Sequence, residues 1–390
     1  MRERTVGFAS MLLCFLALGC GGGSNGGGSS GGGSTTPGTS EILFVNGGGL
    51  NSYSVDLSSG ALTQVSTNSS APGSADMVVT PNGKFLYFTN TPVAIVGYSV
   101  DASGNLTALP GSPFANPETN PFALVGLVVD AGGKFLYTSD PGQQNIVGYT
   151  IDSTTGALTA APVTPLGVPR QIRQMAITPQ GKFLYATDEF NSVVLGFSID
   201  SSTGGLTAVA GSPFPVPSGN AGQDIIGVTS DPSGKFLYTA NAQGIGLSGF
   251  TINQTNGALT DIPGSPYATG SSQFTQTCCV VVHPSGKFVY AIEQDAVVVA
   301  GFSVDSTSGA LTPISGSPFA FPGQPNGAPS NANGPMLIDP SGQYMYVALG
   351  DLSLAVFKID TSSGALKQAK EPLAPLPSAA QGLAIVTKQQ

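Results

Sequence analysis

The strongest constraint on the fold of this chain is that its sequence repeats. The run TPNGKFLY at residues 80–87 recurs as DAGGKFLY at 130, TPQGKFLY at 178, DPSGKFLY at 231, HPSGKFVY at 283 and DPSGQYMY at 339. Successive copies begin 50, 48, 53, 52 and 56 residues apart. Repeats of this length are typical of small supersecondary units that stack into an array or close into a ring. The repeat is therefore the unit whose fold has to be predicted.

Each repeat predicts four short antiparallel strands, A to D. Strand A precedes the Pro-x-Gly-Lys turn, and strand B follows it with a KFLY-type sequence. Strand C has the IVGYTID pattern, and strand D begins at a recurrent Ala-Leu-Thr. Alternation of large apolar and small polar residues is typical of strands. The Asp-x-x-x-Gly segment between C and D supplies turn-forming residues.

The two ends of the chain complete each other. Residues 42–66 contain strands B, C and D of a repeat without strand A, whereas GLAIV at 382–386 is a strand A with nothing after it. We expect residues 382–386 to pair with the strand at 41–46, which completes a seventh sheet, numbered blade 1, and leaves no open sheet edge. The predicted fold is all-β: a seven-bladed β-propeller of four-stranded antiparallel blades over residues 41–387.

Composition excludes the main alternatives. The 390 residues include 54 Gly and 30 Pro, and only 9% are charged. Helical bundles and coiled coils cannot carry so much Gly and Pro and need more charged residues. The glycines show no three-residue period, which excludes collagen. A hydrophobic content of 41% argues against disorder, and a net charge of −9 argues against a nucleic-acid partner.

The first forty residues predict export and anchoring. Residues 1–19 contain a charged start and an apolar run from Val6 to Leu18, which is too short to span a bilayer and suits a signal peptide. The sequence Leu-Ala-Leu-Gly before Cys20 resembles a bacterial lipobox, which implies cleavage before Cys20 and lipid attachment to its thiol; plain secretion is the alternative. Residues 20–40 then form a Gly/Ser-rich tether with a span of about 25 Å. We expect a lipid anchor in the cell envelope, and Gly21 favours the outer membrane.

The repeat consensus identifies a family. The pattern PxGKFLY, then GFSID, TGALT and GSPF, spread over residues 41–387, resembles the lactonase family of seven-bladed propellers. That family includes 6-phosphogluconolactonase-like proteins and fungal muconate lactonizing enzymes, and the consensus is also similar to YVTN-type surface repeats. The resemblance implies the propeller fold and says little about chemistry.

Arg173 and Glu189 are the first candidate site. They lie sixteen residues apart across the turn at Gln180 and Gly181, so an antiparallel hairpin places Arg173 beside Asp188 or Glu189 at the mouth of the central channel, where small-molecule sites tend to lie. A guanidinium can hold a carboxylate or polarise a lactone carbonyl, and a carboxylate can take a proton from water. The alternative is an ion pair on the rim that only orders loops.

The family resemblance falls on the same residues. RQMAITPQGKFLYATDE keeps an Arg and a Glu at the family spacing, which implies catalytic roles for both. The sequence departs from the family where His is expected, at Gln174, Thr178 and near Val125, and where a second Arg is expected, at Ala242.

Three further residues are candidate binding groups. Asp140 begins an Asp-Pro-Gly segment that the family shares, and Asp188 precedes Glu189. Arg170, which with Arg173 is one of the two arginines beyond the leader, is either a second contact for an anion or a solvated loop charge.

Histidine and cysteine give no metal site. His283 is the single histidine of the chain and occupies a position that Thr or Asp holds in other repeats, so we expect it to cap a turn. One His cannot form a His cluster, and we expect no metal and no cofactor. Adjacent strand residues point to opposite faces, so Cys278 and Cys279 are either two separate buried side chains or, in an exported protein, a vicinal disulfide.

Two functions from different classes follow. The first is a monomeric, lipid-anchored binding or interaction scaffold whose channel mouth takes a small anionic or lactone ligand or a protein partner. The second is a lactone hydrolase in which Glu189 is the base and Arg173 polarises the carbonyl. The departures at Gln174 and Ala242 favour the scaffold.

Overall fold

The computed structural model describes residues 39–389, except for 48, 69–73, 91–93, 118–123, 141–142, 162–163, 166–170, 218–223, 243–244, 271–275, 295, 322–333, 350–352, 370–379 and 381. Within these ranges the chain forms strands and turns, and it has no helix that is long and apolar enough to cross a membrane.

The strands form seven separate sheets. Blade 1 contains β1 (Thr39–Asn46), β2 (Leu50–Val55), β3 (Leu62–Asn68) and β32 (Gly382–Gln389). Blade 2 contains β4 (Ser74–Val79), β5 (Phe85–Asn90), β6 (Ala94–Val100), β7 (Leu106–Ala108) and β8 (Phe114–Ala115). Blade 3 contains β9 (Val125–Val129), β10 (Phe135–Asp140), β11 (Asn145–Ile151), β12 (Leu158–Ala160) and β13 (Thr164–Pro165).

The remaining blades follow the same order. Blade 4 contains β14 (Ile172–Ile177), β15 (Phe183–Asp188), β16 (Val193–Ile199), β17 (Leu206–Ala208) and β18 (Phe214–Pro215). Blade 5 contains β19 (Ile225–Ser230), β20 (Phe236–Asn241), β21 (Leu247–Ile252) and β22 (Leu259–Asp261). Blade 6 contains β23 (Thr277–Val282), β24 (Phe288–Glu293), β25 (Val298–Val304), β26 (Leu311–Pro313) and β27 (Phe319–Ala320). Blade 7 contains β28 (Met336–Ile338), β29 (Tyr344–Ala348), β30 (Leu354–Ile359) and β31 (Leu366–Gln368).

The blades form a closed ring, as the repeats predict. Every strand pair is antiparallel, and the strand A of each blade is its inner strand. Inner strands of successive blades contact one another around the ring, including β32 with β4 and β28 with β32. The buried apolar residues divide into seven clusters, each built mainly from two neighbouring blades. The predicted seven-bladed propeller is confirmed.

Ring closure is more extensive than the sequence pattern indicates. β32 pairs with β1 from Gly382 opposite Asn46 to Gln389 opposite Thr39, whereas the expected pairing ended at residue 386. The pairing continues because no Pro-x-Gly-Lys turn links these two strands. The predicted contribution of strand A by the end of the chain is confirmed.

A tyrosine hydrogen bond fastens five of the blade interfaces. The hydroxyl of Tyr87 in blade 2 donates to the carbonyl of Gly156 in the C–D turn of blade 3, at 2.6 Å. The same bond recurs from Tyr137, Tyr185, Tyr238 and Tyr290 to the turn glycine of the next blade. Tyr346 of blade 7 breaks the series, because its buried hydroxyl has no partner among the described residues.

The Gly-Ser-Pro-Phe motif has a role that the sequence did not indicate. In blade 2 the Ser112 hydroxyl accepts a hydrogen bond of 2.9 Å from the Gly97 amide of strand C, and Phe114 begins a two-residue strand that pairs with β6. A side chain on Gly97 would meet Phe114 and Tyr87 at 3.1 Å. Equivalent two-residue strands follow the motif in blades 4 and 6, and blade 3 forms one at Thr164–Pro165 without the motif. The motif therefore packs an extra short strand against strand C.

Blade 1 joins its neighbours through buried charged groups. Lys388 of β32 donates hydrogen bonds to the carbonyls of Gly83 and Val100 in blade 2. On the other side, Glu41 and Asp339, which lies in the A–B turn of blade 7, are both buried and interact electrostatically. Burial and then the charge of Asp339 raise the pKa of Glu41. The two interfaces of blade 1 with its neighbours thus contain buried charged side chains.

Candidate active site

Arg173 and Glu189 meet at the channel mouth. Arg173 lies near the start of the inner strand β14, and Glu189 immediately follows β15, its partner in the hairpin. The Arg173 Nε donates to the Glu189 carboxylate Oε2 in a direct ion pair. The side chains are 17% and 10% exposed, so both are sheltered but reachable from solvent. The contact that the hairpin spacing predicts is confirmed.

A β-bulge sets the direction of Arg173. Ile172 pairs with Asp188 and Met175 pairs with Ala186, so Arg173 and Gln174 together face one residue of β15. Bulges of this kind bend a strand and redirect a side chain. The inner strands β4, β9, β19 and β23 carry similar irregularities. The bulge is therefore part of the architecture, and the arginine is what distinguishes blade 4.

The equivalent position is apolar on neighbouring inner strands. The residues that align with Arg173 before the Pro-x-Gly-Lys turn are Val125 in blade 3, Ile226 in blade 5 and Cys278 in blade 6. All three are buried. Val125 and the buried Ala242 stand where the family pattern leads one to expect His and Arg, so these two positions supply no polar side chain to the mouth.

Gln174 holds two blades together. Its buried side-chain Oε1 accepts a hydrogen bond of 3.0 Å from the Val228 amide on the inner strand of blade 5. Asp76 makes a comparable contact in blade 2, where its Oδ2 accepts from the Leu127 amide at 2.6 Å. Gln174 thus braces the strand that carries Arg173, a contact with the next blade that sequence inspection missed.

Asp188 and Asp140 organise loops beside the pair. The Asp188 Oδ2 accepts from the Asn191 amide side chain at 2.8 Å, and its Oδ1 accepts from the Gln171 amide at 3.3 Å. Asp140 is fully buried, and its Oδ2 accepts from the Asn116 side chain at 2.9 Å. These carboxylates fix the segments that surround the mouth. Two other candidates, Arg170 and the anchor Cys20, lie outside the described residues.

His283 caps a turn, as expected. Its Nδ1 accepts from the Ser285 amide at 3.0 Å, so the proton lies on Nε2, which donates to the Gly342 carbonyl of the next blade at 2.8 Å. Burial lowers the pKa of this imidazole. Within the described ranges, no three His, Cys, Asp or Glu side chains converge as metal ligands.

Cys278 and Cys279 are neighbouring free thiols in the structure. Both are buried, and their sulfur atoms lie 2.8 Å apart. Strand alternation would place the two side chains on opposite faces, but the bulge between Thr277 and Cys279 interrupts that alternation. The hydrogen bond with Cys278, followed by burial, raises the pKa of the Cys279 thiol.

The repeat signature decides the family. The sequence pattern of the family described as "Lactonase, 7-bladed beta-propeller" matches residues 56–223 and 126–323, which together span more than half of the 390 residues. The chain belongs to the lactonase family of seven-bladed propellers. No curated protein sequence matches it.

Solved structures share the fold of this lactonase-family propeller. A candidate 6-phosphogluconolactonase from Bacteroides fragilis is 22% identical, with a TM-score of 0.73, and the match covers 91% of this chain and 100% of that one. A second from Bacteroides uniformis is 17% identical, with a TM-score of 0.73 and coverages of 89% and 99%. The periplasmic gluconolactonase of Pseudomonas aeruginosa is 17% identical, with a TM-score of 0.70 and coverages of 90% and 100%. At these identities the likeness establishes the fold alone.

Sequence analysis also missed two exposed hydrophobic residues in the B–C loops of blades 4 and 5. Phe190 directly follows Glu189 in the B–C loop of blade 4 and is 72% exposed. Ile245, in the B–C loop of the neighbouring blade 5, is 42% exposed. The sequence did contain a signal for Phe190, because it is the one large hydrophobic residue in the short polar stretch DEFNS between strands B and C of blade 4.

Proposed function

We propose that this lactonase-family propeller hydrolyses a lactone at its channel mouth, with Glu189 as the general base and Arg173 as the group that polarises the carbonyl. The observation that carries the proposal is the direct contact of the two side chains at a reachable mouth. Membership of the lactonase family supports the reaction type.

The chemistry needs one base and one cation. The Glu189 carboxylate takes a proton from a water molecule as the water oxygen forms a bond to the lactone carbonyl carbon. The Arg173 guanidinium stabilises the negative charge that develops on the carbonyl oxygen. The ring C–O bond then breaks, and the departing alkoxide receives the proton from Glu189. The products are a hydroxyl and a carboxylic acid on one open chain, and the acid then releases its proton to water to become a carboxylate.

The surroundings keep the two groups in place. The Glu189 amide donates to the Gln171 carbonyl at 3.0 Å, so the backbone on each side of the hairpin end is tied together. Gln174, the residue after Arg173 in β14, ties this strand to blade 5 by accepting the hydrogen bond from the Val228 amide. Catalytic groups held by such contacts need little reorganisation when substrate binds.

Substitution of each group tests the proposal. Glu189→Gln keeps the shape of the side chain but cannot accept the proton, so turnover of a lactone should fall by about 10²–10⁴-fold. Arg173→Lys keeps the charge but loses the planar fork and should also lower turnover. Asp261→Asn, on the outer strand of blade 5, is the matched carboxylate control and should leave turnover unchanged.

Thermal melting separates chemistry from stability. A partly exposed ion pair contributes about 0–1 kcal/mol, so the Glu189 and Arg173 variants should melt close to the parent. Turnover that survives both substitutions would reject Glu189 and Arg173 as the catalytic groups, and absence of lactone turnover in the parent would leave the binding scaffold as the function. The replacement of family residues at Gln174 and Ala242 is the observation that favours that second candidate.

We further propose that the protein is exported and lipid-anchored through Cys20. The proposal rests on the leader sequence before Cys20 and on the Gly-rich tether, which has no apolar face of its own. The Pseudomonas relative is described as periplasmic, which agrees with an envelope location. Cys20→Ala should release the protein from the membrane fraction, and a variant that stays in the membrane would reject this anchor.

A further inference from the structure

Phe190 and Ile245 are exposed residues in the loops of blades 4 and 5 at the same end as the Arg173–Glu189 pair, and Phe190 directly follows Glu189. Both lie in B–C loops, which leave strand B at the end where the inner strand begins, and this is the mouth end of each blade. Blades 4 and 5 are neighbours, since β14 contacts β19. Among the large hydrophobic residues that the structure describes, these two are the exposed ones. Exposed apolar groups beside a polar pair indicate a ligand that has both characters.

On three other inner strands, the position of Arg173 holds a buried apolar residue or a buried cysteine. Val125, Ile226 and Cys278 take the place of Arg173 on three other blades. None of these side chains offers a strong hydrogen bond. A substrate rich in hydroxyl groups would therefore find no strongly hydrogen-bonding side chain at these three positions.

Positive charge at the mouth is also scarce. The other described cations lie at the A–B turns or within strands: Lys84, Lys134, Lys182, Lys235, Lys287, Lys358, Lys367 and Lys388. In the described ranges Arg173 is therefore the one cation at this end, and it already faces Glu189. Net charge of the whole chain is −9. Among the described residues, a phosphorylated lactone would find no second cation at this end to hold its phosphate; Arg170 lies outside them.

We propose that the substrate of this site is an uncharged lactone with an apolar substituent, which rests against Phe190 and Ile245 while Arg173 and Glu189 act on the ring. This inference rests on the proposed lactone hydrolysis and narrows its substrate class. It predicts that such a lactone is hydrolysed in preference to phosphorylated and polyhydroxylated sugar lactones.

A tryptophan reporter tests binding apart from turnover. The chain has no Trp, so F190W places one indole at the proposed contact. Titration with δ-decalactone, or with its unreactive cyclic-ether analogue, should shift the emission to shorter wavelength as the ring is desolvated. Glucono-δ-lactone should not. K235W, at the exposed A–B turn on the opposite face, is the matched control and should show no shift with either compound.

Kinetics test the preference. The parent should have a kcat/KM for δ-decalactone at least about tenfold above that for glucono-δ-lactone, because burial of a short alkyl chain supplies that much discrimination. F190A should reduce this ratio by raising KM for decalactone while kcat changes little, and I245A should do the same more weakly.

The outcomes separate this inference from the hydrolase proposal. Hydrolysis of glucono-δ-lactone or its 6-phosphate in preference to decalactone would overturn the inference and leave the hydrolase in place. An unshifted F190W spectrum at saturating decalactone would also overturn it. Emission shifts in F190W without hydrolysis by the parent would support an apolar ligand and reject the hydrolase.

Discussion

The ammonium group of Lys388, in the last strand, donates a hydrogen bond of 3.1 Å to the carbonyl oxygen of Val100 in blade 2. It also reaches the Gly83 carbonyl, and burial lowers the pKa of the amine. The side chain thus links the end of the chain to its first uninterrupted blade.

Lys388→Met should destabilise the fold by about 1–3 kcal/mol, because two carbonyls at a buried interface lose their donor. Urea unfolding at neutral pH measures the change. The matched control is Lys367→Met, at an exposed position of β31, for which we expect almost no effect. Equal midpoints for the two variants would show that the Lys388 contacts contribute nothing.

Deletion of residues 380–390 should abolish cooperative unfolding. It removes the buried Leu383, Ala384 and Ile385 and leaves β1 as an open strand edge. Differential scanning calorimetry and light scattering should show a broad, early transition with aggregation. Deletion of residues 389–390 alone is the control, and a parent-like melt for the longer deletion would contradict the importance of closure.

The tyrosine series offers a matched pair of substitutions. Tyr185→Phe removes the 2.7 Å hydrogen bond to Gly257 and should lower the free energy of unfolding by about 0.5–1.5 kcal/mol. Tyr346→Phe removes a buried hydroxyl that has no described partner, so it should be neutral or stabilising. Denaturant titration of both variants measures the two changes. A larger loss of unfolding free energy for Tyr346→Phe than for Tyr185→Phe would contradict the assignment of these hydroxyls.

Stability should depend on pH through Glu41. Its pKa rises from the ordinary 4.5 to about 8, first because of burial and then because of the charge of Asp339. Between these values the folded state keeps a proton that the unfolded state has lost, so the free energy of unfolding falls as pH rises, by at most about 1.4 kcal/mol per pH unit. Above pH 8 the loss is complete.

Glu41→Gln should remove this fall and stabilise the protein at pH 9 relative to the parent. The control is Asp360→Asn, in an exposed C–D turn. Hydrogen bonds with Ser362 lower the pKa of the Asp360 carboxyl, so this substitution should change the pH dependence of stability only at lower pH. Melting curves between pH 4 and 9 that are parallel for the parent and Glu41→Gln would refute the assignment.

The architecture could be predicted wherever the repeat carries the information. Strand order follows from recurrence of the same turn, and the missing strand A of blade 1 pointed to residues 382–386 as its source. The contact of Arg173 with Glu189 followed from counting residues on either side of the Gly181 turn. These are local or periodic relations, which a single sequence displays directly.

Contacts between blades could not be predicted in this way. The hydrogen bond from Val228 to Gln174 joins residues 54 positions apart, and the exposure of Phe190 depends on how its loop leaves the sheet. The bulge at Cys278 overrode strand alternation and brought two sulfur atoms together. A bulge adds a residue without a distinctive residue type, so periodicity alone does not reveal it.

The pairing of Thr39 with Gln389 has a consequence for how this fold can be encoded. Residues paired across antiparallel strands lie about 5 Å apart, so with residues 1–38 removed a few linking residues would join Gln389 to Thr39 in a continuous circle. New ends could then be opened in an exposed C–D turn of any blade. The fold therefore does not fix which blade comes first along the chain. Circular permutants that start at any of the seven blades should form the same ring.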